Sequence, residues 1–313
     1  HGGLHNRITH ELHIHPLTLR HTEAYLQHLG CNWDRLSIAQ IYMIMGGIPY
    51  YLNMISPTDS VSTAVDRLFF STDASLHNEF HRLFKSLFKS AETYETIIAL
   101  LARNKKGMTR NEIASALKKS TGGRLSEQLD DLVNCDFVRR YNVKSKKISS
   151  RDAIYQLVDF YSHFYFSFLN SPITDMHYWS NHMLSAATAN WFGYAFERLC
   201  MSHVEQVKET LGIDRIACEY YSWRSNDPEN RAQVDLLLER ADRIINLCEI
   251  KYSSTPYVIT KEEDMKLRTR IATFAAQTQT RLGISPVWIT TMGIVQGKYS
   301  TGTTVITLDD LFQ

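Results

Sequence analysis

The sequence predicts a multidomain α/β chain: a helical layer, a small α+β unit, and an α/β domain with a mixed central sheet. Three observations lead there. Apolar residues recur at helical spacing through residues 18–88. Residues 91–158 hold three further helical patterns and then a hairpin rich in Lys and Arg. Residues 216–308 place short β-rich runs on either side of one long helix.

The elements follow in order. Leu12 and Ile14, alternating with His13 and His15, predict a short half-buried strand. Residues 18–29 read as a helix stopped by Gly30, and residues 34–45 as an apolar helix stopped by Gly46-Gly47. Ile48-Pro49-Tyr50-Tyr51-Leu52 makes a rigid aromatic corner. Amphipathic helices fit residues 61–70, 76–88 and 93–103. Thr109-Arg-Asn-Glu112 is a capping box opening a helix at 112–119. A turn at Gly122-Gly123, a helix at 124–134 and strands at 137–141 and 153–158 complete the winged-helix order. The aromatic segment 159–170 should bury against a neighbour. Helices at 176–187 and 191–211, strands at 216–223, 233–238 and 244–252, a helix at 262–282 and strands at 286–291 and 303–308 finish the chain. The domains are drawn at 1–90, 91–158 and 159–313.

Composition narrows the function classes. A chain of 313 residues with 44% hydrophobic and 21% charged residues is ordinary globular protein with room for several domains. No apolar run is long enough to span a bilayer, and no secretory signal is visible. The five cysteines are odd in number and widely spaced, with no CxxC pair, which predicts reduced thiols in a cytoplasmic protein without a zinc or disulfide framework. Net charge is +1, so any nucleic-acid surface must be local. The chain opens on His1-Gly2-Gly3 rather than Met, which suggests a piece of a longer protein.

The chemistry concentrates in Ala232-Gln-Val-Asp235-Leu-Leu-Leu-Glu-Arg-Ala-Asp-Arg-Ile-Ile-Asn-Leu-Cys-Glu249-Ile-Lys251. Two strands joined by a tight turn would return Glu249 and Lys251 to the end where Asp235 starts. Residues i and i+2 share a strand face, so Glu249 and Lys251 point the same way. Two acids supply hard oxygen ligands for Mg²⁺ or Mn²⁺, and the lysine supplies a cation beside an attacking water. Acids set in apolar strands raise one another's pKa unless a cation neutralises them. Glu197, on the preceding helix, is either a supporting ligand or a surface carboxylate paired with Arg198. Gln233 and Arg231 flank the set.

Arg139, Arg140, Lys144, Lys146, Lys147 and Arg151 place six cations within thirteen residues, able to straddle a phosphate backbone. The helix before them carries Glu127, Asp130 and Asp131, which repel phosphate, so contact would come through the hairpin and read no sequence. His13 and His15 share a strand face, which could chelate a metal, but no acid or Cys stands at ligand spacing in the sequence, and a polar strand face or a nucleotide-side surface accounts for them. Gly293-Ile-Val-Gln-Gly297-Lys298-Tyr299 is one residue short of G-x-x-x-x-G-K-[ST] and has Tyr in place of the hydroxyl, so it is no P-loop. No Ser/His/Asp or Cys/His set stands in a context that favours acyl transfer.

Asp235 followed by Glu249-Ile-Lys251, with Glu197 on the preceding helix, resembles the PD-(D/E)xK nuclease core across residues 191–308. Val234 stands where that pattern usually has Pro. The resemblance extends over Gly3-Leu-His-Asn-Arg-Ile-Thr9, Pro16-Leu-Thr-Leu19, Thr22-Glu-Ala-Tyr-Leu26 and, most sharply, Gly46-Gly-Ile-Pro-Tyr-Tyr-Leu52. These are similar to the end of the ATPase core and the α-helical lid of a prokaryotic AAA-like ATPase family whose members carry a winged helix and a nuclease-like C-terminal domain. The resemblance implies an α-helical lid, a winged helix and a restriction-endonuclease-like domain. It also implies a nucleotide-sensing role for Arg7, and ATP binding only in the intact parent with its N-terminal core. The expected function is Mg²⁺-dependent DNA cleavage, with Asp235 and Glu249 as ligands, Lys251 acting on the water and Glu197 in support. RNA is a second candidate substrate, and a homo-oligomer is compatible with either. The competing expectation is a non-catalytic DNA- or protein-binding regulatory arm, in which the acids and lysine are a structural ion-pair cluster.

Overall fold

The computed structural model describes residues 12–118, 122–141, 153–170, 174–225, 227 and 232–313. Arg7, Lys144, Lys146, Lys147, Arg151 and Arg231 lie outside the described residues. The chain is a mixed α/β protein with a five-stranded mixed sheet and a small three-stranded antiparallel sheet. Among the described residues no helix is long and apolar enough to cross a membrane.

The helical layer comes first. Helix α1 (Leu19–His28) starts at Thr18, whose side chain accepts from the His21 N–H. Helix α2 (Arg35–Met45) starts at Asp34, which caps Ser37 N–H at 2.7 Å. It ends at Gly46, whose φ of +72° suits a residue without a Cβ. A Cβ on the next residue, Gly47, would lie 2.0 Å from the Leu17 carbonyl oxygen. That carbonyl is pinned by the Tyr42 hydroxyl at 2.8 Å, and Leu17 N–H donates to Gly47 O at 2.8 Å. Pro49 then opens the single-turn α3 (Pro49–Leu52), where its missing N–H costs nothing. The glycine-proline-aromatic corner is thus a packing device.

Helices α4 (Val61–Val65) and α5 (Glu79–Leu87) complete the layer, with α4 widening into a π-turn at Asp66–Phe70. The expected strand at Leu12 and Ile14 does not form. Both side chains are more than four-fifths exposed, and the alternate residues His13 and His15, also exposed, lie against Asp136.

The small unit runs α6 (Ala91–Arg103), β1 (Met108–Thr109), α7 (Arg110–Ala116), α8 (Gly123–Asn134), β2 (Val138–Tyr141) and β3 (Ile154–Leu157). Thr109 and Glu112 cap α7 reciprocally, as their spacing predicts. The strand order is β1-β3-β2. Strand β1 is too short to announce itself in the sequence.

The aromatic segment forms α9 (Phe160–Phe164) and a π-turn at Tyr165–Leu169. It packs on α2 and α6 on one side and against Trp191 on the other, so it joins the helical layer to the Trp191 helix that covers the sheet. Tyr161 fastens it, donating to Leu76 O at 2.7 Å and accepting from Phe80 N–H at 3.0 Å. Helix α10 (Tyr178–His182) is held the same way: buried Asp66 accepts from Trp179 N–H at 2.8 Å and from the Ser180 hydroxyl at 2.5 Å.

Helix α11 (Ala186–Ser202) breaks at His203, and α12 (Val204–Thr210) leads into the sheet. Strands β4 (Cys218–Arg224), β5 (Gln233–Arg240) and β6 (Ile244–Lys251) form an antiparallel meander, and β7 (Gly283–Thr290) and β8 (Thr304–Thr307) extend it in parallel. Helix α13 (Lys261–Thr278) makes the crossover and covers one face, its Leu267 and Phe274 lying with Leu237, Leu247 and Trp288. Helix α11 packs against β6 from the other face, which carries Leu236, Leu238, Cys248 and Ile250. The final turn Leu308–Phe312 folds back onto α1, α2 and α12.

Candidate functional site

Strands β5 and β6 run antiparallel, with Leu236 opposite Cys248. One step further along this ladder brings Asp235 level with Glu249, and Lys251 follows two residues on. The start of one strand and the end of the other therefore present these three side chains at the same end of the sheet. The reason β5 can carry an acid there is a bulge. Tyr221 pairs with Leu237 but Trp223 pairs with Val234, so Asp235 and Leu236 together oppose Ser222. A bulge re-aims side chains and leaves a backbone group unpaired. Here the Ser222 hydroxyl donates to the Asp235 carbonyl at 2.6 Å and repairs the ladder.

Glu249 is buried and engaged at both oxygens. Lys251 Nζ lies 3.0 Å from Oε1, and Arg270 of α13 pairs with Oε2. Arg270 carries no sequence signal; it sits mid-helix in a charged run and is recognisable only once α13 is laid across β6. Gln233 Nε2 donates to Asp235 Oδ1 at 2.6 Å. Glu197 is half-buried on α11, where the neighbouring Arg198 charge favours its ionised form. Burial, then the charge of Asp235, pushes the Glu197 pKa up to about 8. Burial likewise raises Asp235; the Gln233 hydrogen bond opposes this, and the Glu249 charge adds to it. The four predicted residues therefore form one electrostatic group. The carboxylates do not close on a shared point, however. Among the described residues the one His/Cys/Asp/Glu set with ligand atoms all within 4.8 Å is His13, His15 and Asp136.

Both histidines of that set are exposed, as on a polar face, and Asp136 adds a carboxylate to them. The acid missing from the local sequence comes from the end of α8, where Asp136 sits at φ +59°. His13 Nε2 and His15 Nδ1 lie 3.0 and 3.3 Å from its Oδ2, with the rings stacked.

Of the six cations of the basic hairpin, Arg139 and Arg140 are among the described residues. Arg140 is exposed but pairs with Asp130 at 3.2 Å, and Tyr94 donates to Asp131 at 2.6 Å, so these acids of α8 have partners of their own. Arg139 turns inward, donating to Gln156 at 3.1 Å and reaching Ser222 at 3.4 Å beside the bulge. It lies over the Tyr141 ring and, being largely desolvated, has its pKa lowered.

A cleft of about 930 Å³ opens between the small unit and the sheet. Glu197, Arg198, Gln233, Asp235 and Arg270 line it from the sheet side, and Arg103, Lys105, Lys106 and Tyr141 from the other. Arg198 is buried, Nε and Nη1 have no hydrogen-bond partner among the described residues, and desolvation lowers its pKa to about 10.

No family model matches the chain, and no solved structure matches it. The chain is 24% identical over 203 residues to an uncharacterized protein of Methanocaldococcus jannaschii, MJECL04. The match takes in 63% of this chain and spans 43% of the relative's length.

Proposed function

We propose that the chain carries a divalent-metal phosphodiesterase site at the β5–β6 end, acting on nucleic acid, within a larger ATP-binding protein of the AAA-like type. In this reading α6–β3 is a winged helix and the five-stranded sheet is a restriction-endonuclease-like domain. The observation that carries it is the gathering of Glu197, Asp235, Glu249 and Lys251 at one sheet end, with Glu197 and Asp235 bordering a basic cleft. Burial raises the pKa of Glu197 and Asp235, which a bound cation would reverse, and carboxylate oxygens are the hard donors Mg²⁺ and Mn²⁺ prefer.

Asp235 and Glu249 would hold the ion, with Glu197 in support. A bound Mg²⁺ would supply Lewis acidity and a more acidic water. Lys251 stands beside Glu249 to orient the water and to stabilise charge gathering on phosphorus. Arg270 must release one Glu249 oxygen before that oxygen can serve as a ligand.

This last point favours a second reading. Glu249 is already satisfied by two cations, as in a structural ion-pair cluster of a non-catalytic DNA- or protein-binding arm. Incubation with plasmid and single-stranded DNA and RNA in Mg²⁺ or Mn²⁺ separates the two. The hydrolytic reading expects cleavage lost in Lys251→Ala and Asp235→Asn and blocked by EDTA. Wild-type and variant chains equally inert while nucleic acid still binds would establish the regulatory arm.

A further inference from the structure

Helix α6 ends at Arg103, and Asn104-Lys105-Lys106-Gly107 turns the chain into β1. Gly107 N–H closes the turn on Asn104 O at 2.8 Å. Gly107 has φ +76°, and a Cβ there would meet Ile154 Cγ2 at 2.5 Å and Tyr155 O at 2.8 Å. Gln156 Nε2 donates to the Lys105 carbonyl at 2.7 Å and the Tyr141 hydroxyl to the Lys106 carbonyl at 3.4 Å. The backbone of the turn is thus fixed against β2 and β3, and its two lysines project at the cleft. Lys105 Nζ rests 3.4 Å from the centre of the Tyr194 ring on α11. Arg224, exposed at the end of β4, lines the same cleft. Among the described residues none of Arg103, Lys105, Lys106 and Arg224 has an ion-pair partner. The lining holds six cations against three acids, and one of those acids, Glu112, is spent capping Thr109. In a chain of net charge +1, this is a concentrated local excess.

We propose that this cleft seats a single nucleic-acid strand, its phosphates on Lys105, Lys106 and Arg224 and its path descending past Arg198 toward Glu197 and Asp235. The proposal rests on the hydrolytic reading only for what happens at the foot of that path; binding stands on the cations alone. A volume of about 930 Å³ suits a few nucleotides. An unpaired strand bends easily enough to lower one phosphate toward acids in such a cleft, whereas a duplex is stiff over many base pairs and is expected to enter it less readily. Tracking cations beside an aromatic face, here Tyr194, is the usual means of holding one strand without reading its sequence. The same chemistry would serve a free nucleotide, so the test includes one.

Fluorescence anisotropy in EDTA, where nothing is cut, measures affinity for labelled oligothymidylate and for a blunt duplex of equal length, with thymidine monophosphate as competitor. The single strand should bind at least about tenfold tighter than the duplex, with the steep salt dependence of backbone contacts. Lys106→Glu combined with Arg224→Glu should weaken strand binding at least about tenfold while the melting temperature holds. Lys105→Glu is the independent check. Asp235→Asn should leave strand binding intact or tighter. Equal affinity for duplex and strand, or indifference to the charge reversals, overturns the proposal. So does competition by the mononucleotide at matching concentration, which would assign the cleft to a free nucleotide. Strand binding retained in a chain that never cuts DNA or RNA would sink the hydrolytic reading and leave this one standing.

Discussion

Glu249 is where both functional readings meet. Its carboxylate lies between two cations from different elements, Lys251 on its own strand and Arg270 on α13. Removing either cation leaves the other to neutralise the acid, whereas removing both leaves a buried charge without a partner. Lys251→Ala and Arg270→Ala should therefore each cost about 1 kcal/mol, and the double variant should cost about 2 kcal/mol or more beyond their sum. Urea unfolding of the three variants measures the coupling. A strictly additive pair would mean that Glu249 is solvated well enough to need neither. The pair Asp235 and Glu249-x-Lys251 was legible in the sequence because strand periodicity alone puts i and i+2 on one face. Arg270 was not legible, because its role depends on how a crossover helix lies over the sheet. Nor was Asp136, which reaches His13 and His15 across more than a hundred residues of chain.

At the scale of elements, the caps and breaks were legible and the bulge was not. Thr109 and Gly46 act where their residue types place them. The register slip opposite Ser222 has no composition of its own, yet it sets how Asp235 is presented. The short β1 went unread for a related reason: a two-residue strand has no period. The Gly46-Gly47-Ile48-Pro49 corner shows how a recognisable string can have a purely steric basis. A methyl group on Gly47 would collide with a carbonyl already fixed by Tyr42, and neither partner is the loose end of a flexible side chain. Gly47→Ala should cost about 2–4 kcal/mol, well above an ordinary surface change. Gly193→Ala, on α11 with open space around it, should cost nothing or stabilise slightly. Thermal melts of the two variants test whether the corner is as tight as it looks.

At the scale of the whole molecule, two contacts tie the first helices to distant parts of the chain. Leu311 and Phe312 are buried where the last turn folds onto α1, α2 and α12, and Arg35 lies over the Phe312 ring. Leu311→Ala should therefore lower a single cooperative transition by about 2–5 kcal/mol, seen alike by circular dichroism and tryptophan fluorescence. A helical layer that melts independently of the sheet would show two transitions, only one of them shifted. The second tie is His203, at the break between α11 and α12. Its Nδ1–H donates to Leu199 O at 3.0 Å, and Nε2 accepts from Leu19 N–H at 2.9 Å, so only the neutral ring fits. Burial lowers its pKa to about 4, below the ordinary value of 6.5. The unfolded chain binds this proton first as pH falls, so the stability His203 contributes is complete above pH 6.5 and is lost on the way down to pH 4. Glu197 works in the opposite sense: its raised pKa removes stability as pH rises from the ordinary carboxylate range toward 8. The raw curve mixes the two, and the difference between variants separates them. His203→Gln should start from a lower melting temperature at pH 7.5 and lose less than the wild type on moving to pH 5. An identical loss in both chains would mean that protonation of His203 is not what lowers stability between pH 7.5 and pH 5.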